Sequence, residues 1–127
     1  MPSDMTTTYY VKAQPAGQFA ACSYFSDPQC TQPVAANALV VPPDTPACQI
    51  AEADGSELTL LGASYKTLGH APVMTNHNFA AAVSGAVSIA MPTTMTVTKG
   101  VVLIFSTRDT VATLYPSADP QITNGDQ

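Results

Sequence analysis

The alternation of apolar and polar residues along this chain is typical of β-strands almost throughout. Residues 95–98 alternate apolar side chains with threonine, and residues 101–106 form a short apolar run that suits a buried strand. Between them, Lys99-Gly100 is predicted to turn the chain. The same patterning places further strand candidates at residues 5–13, 17–25, 37–44 and 110–116.

The stretch 79–91 fits either a helix or strands. Its alanines allow a helix, whereas Gly85 and several β-branched residues argue against one. Val87, Ile89 and Met91 also alternate with small residues, which is a period of two. We therefore predict β structure here.

Asp54-Gly55 stands between two strand-like runs and predicts a β-hairpin. Asp-Gly is a strong signal of this kind because both central residues of a type I′ turn need a positive φ. A two-residue loop would however place Glu52 opposite Glu57, and like charges opposed across a ladder are destabilising. A longer loop or a bulge is the alternative.

Together these elements predict an all-β chain with about seven to nine short antiparallel strands. Turn signals recur at roughly ten-residue spacing, which is typical of a sandwich or small barrel. At 127 residues we expect a single domain over 1–127. Residues 1–16 are expected to form an extended N-terminal arm, and the proline-rich stretch 26–47 an extended arm or a long loop across the surface. Residues 117–127 are expected to form a polar tail that docks on a neighbour or stays loose.

The composition is unusual in its low content of charged residues. Only 10% of residues are charged, against roughly 25% in an ordinary domain. The net charge is −5 and the four basic residues are scattered, so neither nucleic-acid binding nor polybasic attachment to a membrane is expected. The N-terminal sequence does not resemble a signal peptide, so we expect synthesis in a host cytoplasm without export. Polar uncharged residues or burial against partners must then cover the surface.

Three cysteines lie at positions 22, 30 and 48. Their spacing is not that of a structural zinc site, and no metal site is predicted. A Cys22–Cys30 disulfide is geometrically feasible through a turn at Asp27-Pro28, but the odd count and missing export signal argue against it. Buried free thiols are the favoured interpretation.

No sequence motif in the chain identifies a particular catalysed reaction. His70 and His77 share one loop without an intervening carboxylate, and they are interpreted as ordinary loop histidines. Glu52, Asp54 and Glu57 are interpreted as solvated turn charges rather than a calcium loop or a catalytic pair. We predict no catalytic residues, no cofactor and no enzyme activity.

In overall character the chain resembles the capsid decoration (cement) proteins of tailed bacteriophages. The features that carry this resemblance are the polar N-terminal stretch 1–18, the proline-punctuated middle 28–46 and the segment 84–106. The resemblance implies a virion protein that binds the major capsid protein and copies of itself, as trimers or dimers, and stabilises the shell. Strands 5–13 and 110–115 would then be candidates for intermolecular pairing.

Two other classes of function stay open. One is a β-sandwich receptor- or glycan-binding module of a fibre or adhesin, with tyrosines and loop 68–78 as its contact surface. The other is a small enzyme of unfamiliar type that would depend on His70 or His77.

Overall fold

The computed structural model describes residues 6–36, 39–67, 78–91, 97–111, 113–117 and 120–124, and every regular element among them is a strand. The eleven strands are β1 (Thr6–Ala16), β2 (Phe19–Phe25), β3 (Pro33–Val34), β4 (Leu39–Val41), β5 (Ala47–Glu52), β6 (Thr59–Thr67), β7 (Asn78–Ala81), β8 (Ala86–Ala90), β9 (Thr98–Ser106), β10 (Leu114–Pro116) and β11 (Gln121–Asn124). The predicted all-β class is confirmed. The eleven strands among the described residues outnumber the seven to nine that the sequence predicts.

The strands form two sheets that pack together as a sandwich. The first sheet has the order β3-β2-β1-β5-β8, and the second has the order β4-β11-β9-β6-β7, with β10 also paired to β9. The sandwich alternative is thus confirmed, but the expectation of antiparallel strands alone is wrong. β1 pairs with β5 and β4 with β11 in parallel, because the chain reaches each partner through a crossover rather than a hairpin.

One hydrophobic core lies between the sheets. It is built by strict alternation, since Val11, Ile50, Leu103 and Phe105 are each 0% exposed while their neighbours along the strand turn outward. The predicted turn at Lys99-Gly100 is wrong, because β9 runs through both residues without interruption. Gly100 pairs on both sides, with Lys66 of β6 and with Gln121 of β11, so the ladder holds the chain extended there.

The expected N-terminal arm and C-terminal tail are strands of the sandwich over their described residues. β1 lies between β2 and β5, and β11 lies between β4 and β9. Ile122 is 0% exposed and so belongs to the core rather than to a loose tail. β1 has a strand partner on both sides only at Tyr10 and Val11, and residues 6–9 pair with β5 alone, so the pairing of this strand with another molecule stays a prediction.

The turn at Asp54-Gly55 does not close a hairpin. β5 belongs to the first sheet and β6 to the second, so the turn carries the chain between them. Gly55 has φ +90°, and the Ser56 N–H donates to the Ala53 carbonyl over 3.2 Å. One positive φ at this position matches a type II turn, which does not suit the twist of a hairpin. Glu52 and Glu57 therefore never face each other across a ladder.

A hairpin tip with type I′ geometry occurs instead in the stretch 79–91, where β structure is confirmed. Ser84 has φ 54° and Gly85 has φ 81°, the pair of positive values that this turn requires. Val83 and Ala86 exchange both backbone hydrogen bonds across the tip. Beyond it the strands separate, β7 joining the second sheet and β8 the first.

Candidate functional site

All three cysteines are free, but they differ in burial. Cys48 is 0% exposed, and burial raises its pKa to about 12. Cys22 is half-buried against the core, and desolvation raises its pKa to about 11. Cys30 lies in the loop after β2 with φ 61°, so the interpretation of three buried thiols is right only for Cys48. A thiol of raised pKa is a poor nucleophile at neutral pH, because little thiolate forms.

The loop that separates Cys22 from Cys30 is organised by Asp27. Its carboxylate accepts hydrogen bonds from the Thr31 hydroxyl at 2.6 Å and from the Thr31 and Gln32 N–H groups. These donors, the Thr31 hydroxyl first, hold the pKa of Asp27 below its ordinary value. The predicted Asp27-Pro28 turn is therefore present, and the hydrogen bonds of this carboxylate are structural.

The candidate metal and catalytic residues are not brought together. His70 and His77 lie outside the described residues. In the part of the chain that the structure describes, no group of three or more His, Cys, Asp and Glu side chains is placed to hold a metal ion. Of the three acidic residues near the turn, Asp54 and Glu57 are exposed, whereas Glu52 is drawn into a contact between the sheets.

That contact joins the end of β5 to the second sheet. One Glu52 carboxylate oxygen accepts the Leu60 N–H at 2.9 Å, where the β6–β9 register shifts, and the other pairs with Arg108 at 2.7 Å. Arg108 also donates to the Ser56 carbonyl over 2.7 Å and to the Thr59 hydroxyl over 3.2 Å. Every one of these groups is satisfied within the protein, so the cluster acts as a joint between sheets.

A polar groove lies on the outer side of the first sheet. Its volume is about 220 Å³, and its walls include Lys12, Gln14, Ser23 and Glu57. It is wide open, and it brings one amine and one carboxylate to a solvated surface. We assign it no ligand.

Lys99 is the one described cation on the core side of a strand. It is 9% exposed, its amine lies 5.3 Å from the centre of the Tyr65 ring, and burial lowers its pKa. This lysine therefore stabilises the packing between two neighbouring strands, and it does not reach the outer surface of the second sheet.

That outer surface carries the most unusual feature of the molecule. It is formed by side chains from three strands, β7, β9 and β10, around the glycine and serine of β6. We call this set the apolar face: Phe79, Ala81, Val102, Ile104, Leu114 and Pro116. Phe79 is 63% exposed, Leu114 52% and Val102 38%.

The strand register makes these side chains contiguous. In one row Phe79 pairs with Ser64 of β6, which pairs with Val102 of β9. In the next row Ala81 pairs with Gly62, Gly62 with Ile104, and Ile104 with Pro116. Cross-strand neighbours on one face lie about 4.5–5.5 Å apart. The apolar face is therefore one continuous surface rather than a set of isolated residues.

Phe79 and Gly62 fit each other closely within this surface. A Cβ atom added to Gly62 would lie 2.7 Å from Phe79 Cζ and 2.8 Å from the Ala80 carbonyl oxygen. The ring therefore lies over the glycine, filling the space that a side chain would take.

Two unpaired charges mark the opposite ends of the apolar face. Lys66 lies on the outward side of β6, beside Gly100 near the start of β9, and Asp109 follows the other end of β9. Both side chains are exposed, and neither forms an ion pair with another residue in the described ranges. The face is thus uncharged in its middle and has Lys66 at one end. At the other end Asp109 lies beside Arg108, whose charge is paired with Glu52, so the unpaired charge there is the Asp109 carboxylate.

The fold defines only a broad structural class for this protein. The chain is an all-β sandwich. A search of known protein families and of curated proteins finds no match to it. Among the described residues there is no helix long and apolar enough to cross a membrane.

The apolar face was not predicted from the sequence, although the apolar run at residues 101–106 contains a signal of it. The apolar run at residues 101–106 predicts a buried strand. Its alternate residues Val102 and Ile104 instead point outward, where no third layer of described residues covers them. A strand that is apolar on both faces, in a sandwich of two described layers, leaves apolar side chains exposed on its outer face.

Proposed function

We propose that the protein is a non-catalytic structural component of a virion that decorates the capsid shell and stabilises it through protein–protein contacts. The observation that carries the proposal is the exposed, continuous apolar face. The largest exposed apolar patch on a soluble protein is often a site of interaction with another molecule. The face has no charged residue at its centre, as is typical of the buried middle of an interface.

The rest of the molecule supports a contact role. Two of the described carboxylates, Asp27 and Glu52, are engaged in structural hydrogen bonds, Glu52 also in an ion pair with Arg108. The scarcity of charge over the whole chain suits a surface that is covered in an assembly. The resemblance in character to capsid decoration proteins adds the kind of assembly: a viral shell.

The mechanism is one of linked equilibria. A protein that binds only the assembled shell lowers the free energy of that state and not of the free subunits, so the shell resists disruption. A stiff sandwich with a preformed apolar face loses little conformational entropy on binding, which favours such a role. No bond is made or broken in this account.

The experiment is co-sedimentation with purified, expanded capsids of the virus that encodes the chain. We expect the wild-type protein to pellet with capsids in a saturable way and to raise the temperature at which they release their genome. A glycan array tests the adhesin alternative on the same preparation. Saturable binding to a glycan, together with no adherence to capsids, would contradict the proposal.

A further inference from the structure

We propose that the apolar face is covered by the same face of a second copy of this chain, so that the protein works as a two-fold symmetric dimer. This inference rests on the proposed function only in taking the apolar face as a contact surface. It goes further by naming the partner that covers it.

The distribution of charge selects a second copy and also its orientation. A two-fold axis in the plane of the interface and perpendicular to the strands reverses the strand direction of the copy. This places Lys66 of each chain over the end that carries Asp109 of the other. The two-fold symmetry therefore forms two such pairs. An axis parallel to the strands would instead bring like ends together, which is unfavourable. The face is therefore electrostatically complementary to itself in one orientation.

The hydrophobic pattern agrees with the same arrangement. Val102 and Ile104 lie near the middle of the face, and Phe79 and Leu114 lie on strands to either side of them. In an isologous dimer each side chain near the axis meets its counterpart in the copy. Apolar residues would thus meet apolar residues at the centre, with the charges at the rim.

The size of the face sets the expected strength. At about 4.8 Å between strands and about 3.4 Å per residue, the face measures on the order of 400 Å² in plan. A standard interface buries roughly 800 Å² per partner. We therefore expect a micromolar dimer, which must be measured over a wide range of concentration.

The test is sedimentation velocity on the isolated chain, from about 1 µM to about 1 mM, on the wild type and matched variants. We expect the wild type to pass from monomer to dimer. Val102→Lys places a charge at the centre of the face and is expected to weaken dimerisation at least about a hundredfold. Phe19→Lys is the control, because Phe19 is 54% exposed on the outer face of the first sheet, and it should dimerise as the wild type does.

A charge exchange tests the orientation. Lys66→Glu and Asp109→Lys alone are each expected to weaken the dimer about threefold to tenfold, since rim ion pairs contribute little. The double variant restores opposite charges and is expected to return close to wild-type affinity. A wild type that stays monomeric throughout, a Val102→Lys protein that still dimerises, or a double variant no stronger than the single ones would overturn the proposal.

Capsid co-sedimentation separates this inference from the proposed function. Monomers that adhere to capsids would overturn the dimer and leave the decoration role standing. Dimers that do not bind capsids would overturn the decoration role and leave the dimer standing. Circular dichroism of each variant establishes that it folds, and the outward position of Val102 leaves the core unchanged.

Discussion

The outer faces of the two sheets differ far more than their inner faces do. Both inner faces are apolar and share one core. On the first sheet the outward positions of β1, β5 and β8 hold mainly polar or small side chains, such as Lys12, Gln14, Gln49 and Ser88. On the second sheet they hold the apolar face. Folding requires only the inner faces to be apolar. The difference between the two outer faces therefore reflects what each of them contacts.

The largest expected effect concerns the close fit under Phe79. Gly62→Ala places a methyl group 2.8 Å from the Ala80 carbonyl oxygen, and backbone cannot move aside as a side chain can. We expect a loss of about 1–3 kcal/mol in the free energy of unfolding, measured by urea denaturation. Ser88→Ala, an exposed change on the first sheet, should stay within about 0.5 kcal/mol of wild type. Equal losses in the free energy of unfolding for Gly62→Ala and Ser88→Ala would contradict the difference proposed between the two outer faces.

A smaller effect is expected where the two sheets meet at an edge. The Tyr9 hydroxyl donates to the Val40 carbonyl over 2.7 Å and accepts the Val40 N–H at 3.0 Å, so a side chain of the first sheet caps edge strand β4 of the second. Tyr9→Phe leaves both backbone groups without this partner and should cost about 1–2 kcal/mol. Tyr10→Phe on the outward side of β1 is the control, with an expected change below about 0.5 kcal/mol.

The same bond predicts a dependence on pH. Burial, the main cause, raises the pKa of Tyr9 above its ordinary value, against the smaller opposing effect of the Val40 hydrogen bond. A raised pKa in the folded state means that the contribution is complete below the unfolded pKa of about 10 and is lost as pH rises through the folded value. The stability difference between wild type and Tyr9→Phe should therefore shrink in strongly alkaline solution. A difference that grows with pH would contradict this assignment.

The smallest effect is one of rate and leaves stability untouched. With a thiol reagent at pH 8, Cys30 should react first, Cys22 more slowly, and Cys48 only when the protein opens, because its side chain is 0% exposed. The chain denatured without reductant should show three reactive thiols. A single reactive thiol after denaturation would instead reveal a disulfide.

The sequence predicted the inner half of this molecule well and the outer half poorly. The apolar run at residues 101–106 predicted most of β9, and alternation predicted β8 after Ser84-Gly85, since burial on one face leaves a period of two. It failed at Lys99-Gly100, where pairing on both sides overrides the local turn signal. It also failed at Asp54-Gly55, because a turn motif states that the chain bends and not which sheet the next strand joins. Strand order and the apolar face depend on contacts distant in sequence, which local patterns do not encode.

The central claim, that the apolar face is the surface of assembly, is tested most directly by hydroxyl-radical footprinting read out residue by residue. Phe79 and Phe19 serve as probes within one molecule, since they are 63% and 54% exposed on the outer faces of different sheets. On going from dilute to concentrated protein, we predict that oxidation of Phe79 falls severalfold while that of Phe19 stays unchanged. Equal oxidation of Phe79 at both concentrations, or protection of Phe19 in its place, would contradict the account.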